Sequence, residues 1–107
     1  MNTNIPLACN MDVFTPAQRE THIQTTTELI QRVQSVRGIE NGYEFRFPNE
    51  IRFISRIAEF ISNERLCCPF LAFNLNVRSN DELISLSLTG PIGTQEFLRA
   101  EFDGAIP

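Results

Sequence analysis

From residue 15 onward the chain switches between two hydrophobic spacings, and each switch marks a new element. Thr15-Pro16 sets a capping hydroxyl before a proline at a first helical position. The spacing predicts a helix over 16–35, with Ile23, Thr26, Ile30 and Val33 in register and Leu29 beside them. The threonine run at 25–27 is a poor helix former within it. Two strand-like runs, 36–40 and 43–47, then flank Asn41-Gly42, a strong hairpin signature because both residue types accept positive φ. In the second run Tyr43, Phe45 and Phe47 share one face, Glu44 and Arg46 take the other, and Pro48 ends the strand.

Helical spacing returns over 49–67, at Phe53, Ile54, Ile57, Phe60 and Ile61, and Pro69 forbids its continuation. Period two follows over 70–78, turning Leu71, Phe73, Leu75 and Val77 inward and Asn74, Asn76 and Arg78 outward. Ser79-Asn80-Asp81 is a turn into a partner strand over 83–89, with Ile84, Leu86 and Leu88 inward. Gly90-Pro91-Ile92-Gly93 breaks the chain before a last helix over 94–102 that buries Phe97, Leu98 and Phe102. The order α-β-β-α-β-β-α implies a two-layer α+β fold, a four-stranded, mainly antiparallel sheet with helices on one face. Its other face would carry Glu44, Arg46, Asn74, Asn76, Ser85, Ser87 and Thr89, either solvated or held in a polar interface between copies of the chain.

With 107 residues, 42% of them hydrophobic, the chain fits a single domain over 1–107 and leaves no room for a second core. Its nine basic residues are all arginine, which excludes lysine-dependent and Schiff-base chemistry. A net charge of -4 without any basic run supplies no field for nucleic acid or anionic lipid. Residues 1–9 lack the basic and apolar regions of a secretory signal, and no hydrophobic segment precedes Leu7-Ala8-Cys9 as a lipoprotein site requires. No run of about 18 apolar residues could span a membrane. The expectation is a cytoplasmic protein whose cysteines are reduced, and three cysteines make no disulfide framework.

Chemistry concentrates at the end of the second helix, in Glu64-Arg65-Leu66-Cys67-Cys68-Pro69. At 100° per residue, Ile57, Ile61, Glu64 and Cys68 project within about 60° of one another, so Glu64 falls inside an apolar stripe. A carboxylate there must be paired, hydrogen-bonded, coordinated or protonated, whereas Glu59 is turned away. Adjacent thiols can chelate a thiophilic ion, close a vicinal disulfide or serve as small buried hydrophobes. Cys9 adds a third sulfur if the N-terminal segment crosses the helix end. His22, the lone histidine and expected at a surface or boundary, would complete a zinc set of Cys9, His22, Cys67 and Cys68, although adjacent cysteines depart from the usual ligand spacing. A cysteine hydrolase needs Cys68 and His22 within hydrogen-bond reach. Cys68-Pro69 alone is too short for a haem-binding element, and the 89–94 turn lacks the lysine and spacing of a P-loop. Arg65 favours a thiolate while the helix C-terminus opposes it, so no activated thiol follows.

The run Glu64-Arg65-Leu66-Cys67-Cys68-Pro69-Phe70, with Phe73, resembles the signature of a family of small uncharacterised bacterial proteins carrying Glu-Arg-x-Cys-Cys-Pro-Phe. The likeness extends to Leu88-Thr89-Gly90-Pro91, Gly93 and Phe97-Leu98, to Gly42-Tyr43, Phe45 and Phe47-Pro48, and to Cys9 followed by Thr15-Pro16. It covers most of the chain and implies no established activity, but it singles out Cys9, Glu64, Cys67 and Cys68. These four are the expected metal ligands of a small cytoplasmic, non-enzymatic thiol protein that holds a thiophilic metal or metalloid ion or responds to oxidants. The competing expectation is a non-catalytic interaction or assembly domain with structural core cysteines, whose polar sheet face or edge binds a partner. Under either expectation the partners include a second copy of the chain and neither nucleic acid nor membrane.

Overall fold

Thr15 caps helix α1 (Pro16–Arg32) reciprocally: its hydroxyl accepts from the Gln18 amide at 3.2 Å, and the Gln18 side chain accepts from the Thr15 amide at 3.0 Å. The computed structural model describes residues 7–106, so most of the stretch read for targeting signals lies outside the described residues. Helix α1 stops three residues short of the expected end because Val33 is already extended and Ser35 enters the sheet. Its buried side is His22, Thr25 and Leu29 rather than a stripe through Ile23, which is 51% exposed. The threonines on and beside this face are satisfied locally, since the Thr25 and Thr26 hydroxyls donate to the carbonyls of Thr21 and His22.

Strands β1 (Ser35–Ile39), β2 (Gly42–Pro48), β3 (Ala72–Asn76) and β4 (Leu83–Thr89) form one sheet in the order β1-β2-β4-β3, every neighbour antiparallel. Tyr43, Phe45 and Phe47 stand opposite Leu88, Leu86 and Ile84 in the central pair, and all six are buried. Cross-strand contact between large side chains is what stabilises such a face. Ile39 pairs with Gly42, so the hairpin loop is Glu40-Asn41, one residue earlier than expected. Asn41 supplies the positive φ of 55°, while Gly42 is required for another reason: a Cβ there would collide with the Leu88 carbonyl of β4.

Strand β3 is shorter than its sequence pattern. Phe70 and Leu71 are buried at the corner before it, and Val77 is 44% exposed because the ladder with β4 ends at Asn76 and Ser85. Helix α2 (Ile51–Cys67) and helix α3 (Thr94–Glu101) lie with α1 on the apolar face. Ile57 and Leu98 are fully enclosed, and Phe60 and Phe102 meet Phe73 and Phe45 of the sheet. The opposite face keeps the expected polar row, where Glu44 bridges Arg37 and Arg46 at 3.2 Å. At the head of α3 the Thr94 hydroxyl is spent on the Pro91 carbonyl at 2.6 Å, which makes the 89–94 turn structural. No described helix is long and apolar enough to cross a membrane.

Candidate functional site

Pro69 cannot continue α2, so Cys68 becomes its C-cap and donates its amide to the Glu64 carbonyl at 2.8 Å. Glu64, Cys67 and Cys68 therefore sit at i, i+3 and i+4, one turn apart on one side of the helix end. The same end offers the Cys67 carbonyl, which accepts from the Asn10 amide at 2.7 Å. Asn10 in turn caps a 3-10 turn, Met11–Val13, and Phe14 is buried behind it. Through this backbone bond the N-terminal segment crosses the helix end, leaving the Cα atoms of Cys9 and Cys68 4.4 Å apart, and the two sulfurs are joined as a disulfide. The expectation of three reduced thiols is corrected accordingly. Cys67 alone is free, and no vicinal bond links it to Cys68.

Around these sulfurs the cluster is dense. Cys67 Sγ lies 3.6 Å from Cys68 Sγ, and the sulfurs of Cys9, Cys67 and Cys68 are all within 4.8 Å of one another. The two oxygens of Glu64 face different sulfurs: Oε1 is 3.5 Å from Cys67 Sγ and Oε2 is 3.5 Å from Cys68 Sγ. Glu101, the last residue of α3, reaches within 3.1 Å of Cys9 Sγ and 4.0 Å of Cys68 Sγ, and shares a hydrogen bond with Glu64. Its stem is exposed while its carboxyl turns inward, so the cluster opens to solvent beside Glu101 and the half-buried Cys9.

His22 is 3% exposed, which corrects its expected surface or boundary position. Its Nε2 lies 2.8 Å from Glu64 Oε1, and its ring packs between Phe14 and Phe60 with Nδ1 lacking any partner. A histidine that ligates a metal holds its second N–H on an acceptor. To ligate through Nε2, His22 would have to carry a proton on Nδ1, toward aromatic rings with no acceptor. It is therefore the support of Glu64, not the fourth member of a zinc set. Among the described residues no hydrogen bond joins His22 to a sulfur, which leaves a cysteine hydrolase without its base.

Burial works against ionisation throughout the cluster, and hydrogen bonding decides where charge remains. Burial alone would raise the Glu64 pKa, but hydrogen bonds from His22 and Glu101 hold it below the usual carboxylate value. Burial, then the bond to Glu64 and the charge of Glu64, push Glu101 up to about 9. Burial and the charge of Glu64 push the Cys67 thiol up to about 12. One carboxylate is thus surrounded by groups that keep their protons.

All four residues singled out in the sequence, Cys9, Glu64, Cys67 and Cys68, come together. Glu101 was missed, although the reasoning that found Glu64 applies to it: at 100° per residue it projects between Phe97 and Leu98. The sulfur spacing suits a common ion. Sulfurs about 2.3 Å from a tetrahedral centre stand about 3.8 Å apart, close to the 3.6 Å between Cys67 and Cys68. No protein-family model, no curated protein and no solved structure matches this chain.

Proposed function

We propose that this chain is a small thiol protein that binds a soft metal or metalloid ion through Cys9, Cys67 and Cys68 in their reduced state, with Glu64 and Glu101 as flanking oxygens. The observation that carries the reading is the convergence of three sulfurs, one of them 59 residues away from its neighbour in sequence. Soft thiolates select thiophilic ions, and the ligand set and the Cys9–Cys68 disulfide exclude each other because they use the same sulfurs. A reducing compartment such as the cytoplasm is then the working environment. The reading extends to the family that the Glu-Arg-x-Cys-Cys-Pro-Phe run resembles.

The test is a mass measurement under native, anaerobic conditions after reduction and titration with zinc, cadmium, mercury or arsenite. We expect one ion per chain in the wild type and none in the Cys67→Ser/Cys68→Ser double variant. The absence of any adduct in the wild type, or an undiminished adduct in the variant, would sink the proposal.

The second reading, an interaction domain with structural cysteines, is favoured by one fact: Cys67 and Cys68 are 1% and 0% exposed. If reduced native protein reacts with a thiol reagent at Cys67 and Cys68 only after unfolding, and takes up no ion, that second reading stands.

A further inference from the structure

Resting on the ion-binding reading, we infer that the ligand is a trivalent metalloid hydroxo acid, of the arsenous or antimonous type, taken as a pyramidal tris-thiolate of Cys9, Cys67 and Cys68. Three features of the cluster lead there: the number of donors, their spacing and the charge that the surroundings tolerate.

A linear two-coordinate ion needs its sulfurs about 4.6 Å apart, twice a typical metal–sulfur bond. Cys67 and Cys68, at 3.6 Å, are too close to serve that geometry and sit well for two corners of a pyramid. Cys9, bonded to Cys68 while oxidised and within 4.8 Å of Cys67, provides the third corner once that bond is reduced. A tetrahedral divalent ion would need a fourth donor; a carboxylate of Glu64 or Glu101 lies near enough to give it, which brings the complex to two negative charges, and the imidazole cannot take that place. His22 Nε2 is committed to Glu64, and Nδ1 has no acceptor for the proton that ligation would move there. A trivalent metalloid needs only three donors, since its lone pair fills the fourth direction.

Charge leads to the same choice. Cys67, Cys68 and Glu64 are each no more than 2% exposed. Among the described residues no arginine pairs with Glu64 or Glu101, and Arg99 is bound to the Tyr43 hydroxyl at 2.7 Å. Three thiolates around a divalent ion carry one negative charge, which adds to the carboxylate of Glu64, whose basic partner among the described residues is the His22 imidazole already bonded to it. Three thiolates around a trivalent metalloid are neutral. A buried charge without a partner is strongly disfavoured, so the neutral complex fits this interior.

The exchange balances without redox change in the bound species: As(OH)3 + 3 RSH gives As(SR)3 + 3 H2O. Three As–O and three S–H bonds break, and three As–S and three O–H bonds form. Glu101, 3.1 Å from Cys9 Sγ at the open side, is placed to pass a thiol proton to a departing hydroxide and to be restored in the same step. The Cys9–Cys68 disulfide must first be reduced, by a dithiol or a phosphine that takes up the oxidising equivalents.

The deciding experiment compares anaerobic, phosphine-reduced protein loaded with arsenite, zinc or cadmium, reading native mass, the number of titratable thiols and competition between ions. We expect one arsenic per chain with the loss of three protons, a drop from three reactive thiols in the denatured reduced protein to none in the complex quenched under denaturing conditions, and displacement of bound zinc by stoichiometric arsenite. Cys67→Ala should weaken arsenite binding at least tenfold. Should that variant fail to fold, the thiol count on the wild type still decides. Zinc or cadmium binding as tightly as arsenite, or an arsenic adduct that leaves one thiol reactive, overturns this inference while the ion-binding reading survives. Absence of any adduct with all three probes overturns both.

Discussion

Glu64 remains ionised in an interior that would otherwise protonate it because its neighbours donate to it, and Glu101 holds the proton that such a close carboxyl pair must share. The consequence is a stability profile with an unusual slope. Glu101 titrates near 4.5 when unfolded and near 9 when folded, so between these values the native state binds more protons than the unfolded chain. Its contribution is fully present below the lower value and is lost as pH rises toward the upper one. We expect the unfolding free energy of the oxidised, ion-free protein to fall between pH 5 and pH 9, roughly over that window, when followed by chemical denaturation. In Glu101→Gln the fall should flatten; an unchanged slope in that variant would assign it elsewhere. Glu64 was legible in the sequence because one helix holds both the acid and the apolar stripe that makes it anomalous. His22 was misplaced because α1 rotates one residue away from the side that hydrophobicity favours, burying Thr25 in place of Ile23. Its hydrogen-bonded threonines make that side acceptable, a compensation that residue type does not reveal.

At the scale of elements, the sheet explains which parts of the pattern were readable. Alternation in β2 and β4 gave their inward residues without error, since both strands are central and one face of each is buried. Alternation over-extended β3, an edge strand whose last inward position, Val77, has no ladder partner. The hairpin was found but displaced by one residue, and Gly42 proved necessary for the approach of β4 rather than for the turn. That distinction is testable. A Cβ at Gly42 meets the Leu88 carbonyl and the Thr89 backbone at the end of the longest strand pairing, beside the hairpin, so Gly42→Ala should separate β2 from β4 locally and cost on the order of 3 kcal/mol or more. Gly38→Ala, where the nearest atom is 3.5 Å away on a flexible glutamine, should cost far less. Equal midpoints of thermal unfolding for the two variants would remove the steric argument.

Across the whole molecule, the N-terminal segment is tied to the end of α2 by the Asn10 amide and by the Cys9–Cys68 bond, which span 59 residues of sequence and include α1, the β1–β2 hairpin and α2. No periodicity in the sequence announces such a tie, because it depends on where the folded layers bring residues far apart in the chain. Closing a loop of that length removes unfolded-state entropy equivalent to about 4 kcal/mol in the chain-entropy picture. For a domain of this size, reduction should then lower the thermal midpoint by on the order of 10–20 °C. Cys9→Ser should show the same lowered midpoint and lose its response to reductant, whereas Cys67→Ser should keep the response because its sulfur is outside the bond. An ion held by Cys9 and Cys68 would restore the tie in reduced protein, so stoichiometric arsenite should return much of the lost stability in the wild type and none in Cys9→Ser. If arsenite raised the midpoint equally in both, the ion would be bound somewhere that does not join the N-terminal segment to α2, and the role assigned to Cys9 would have to be given up.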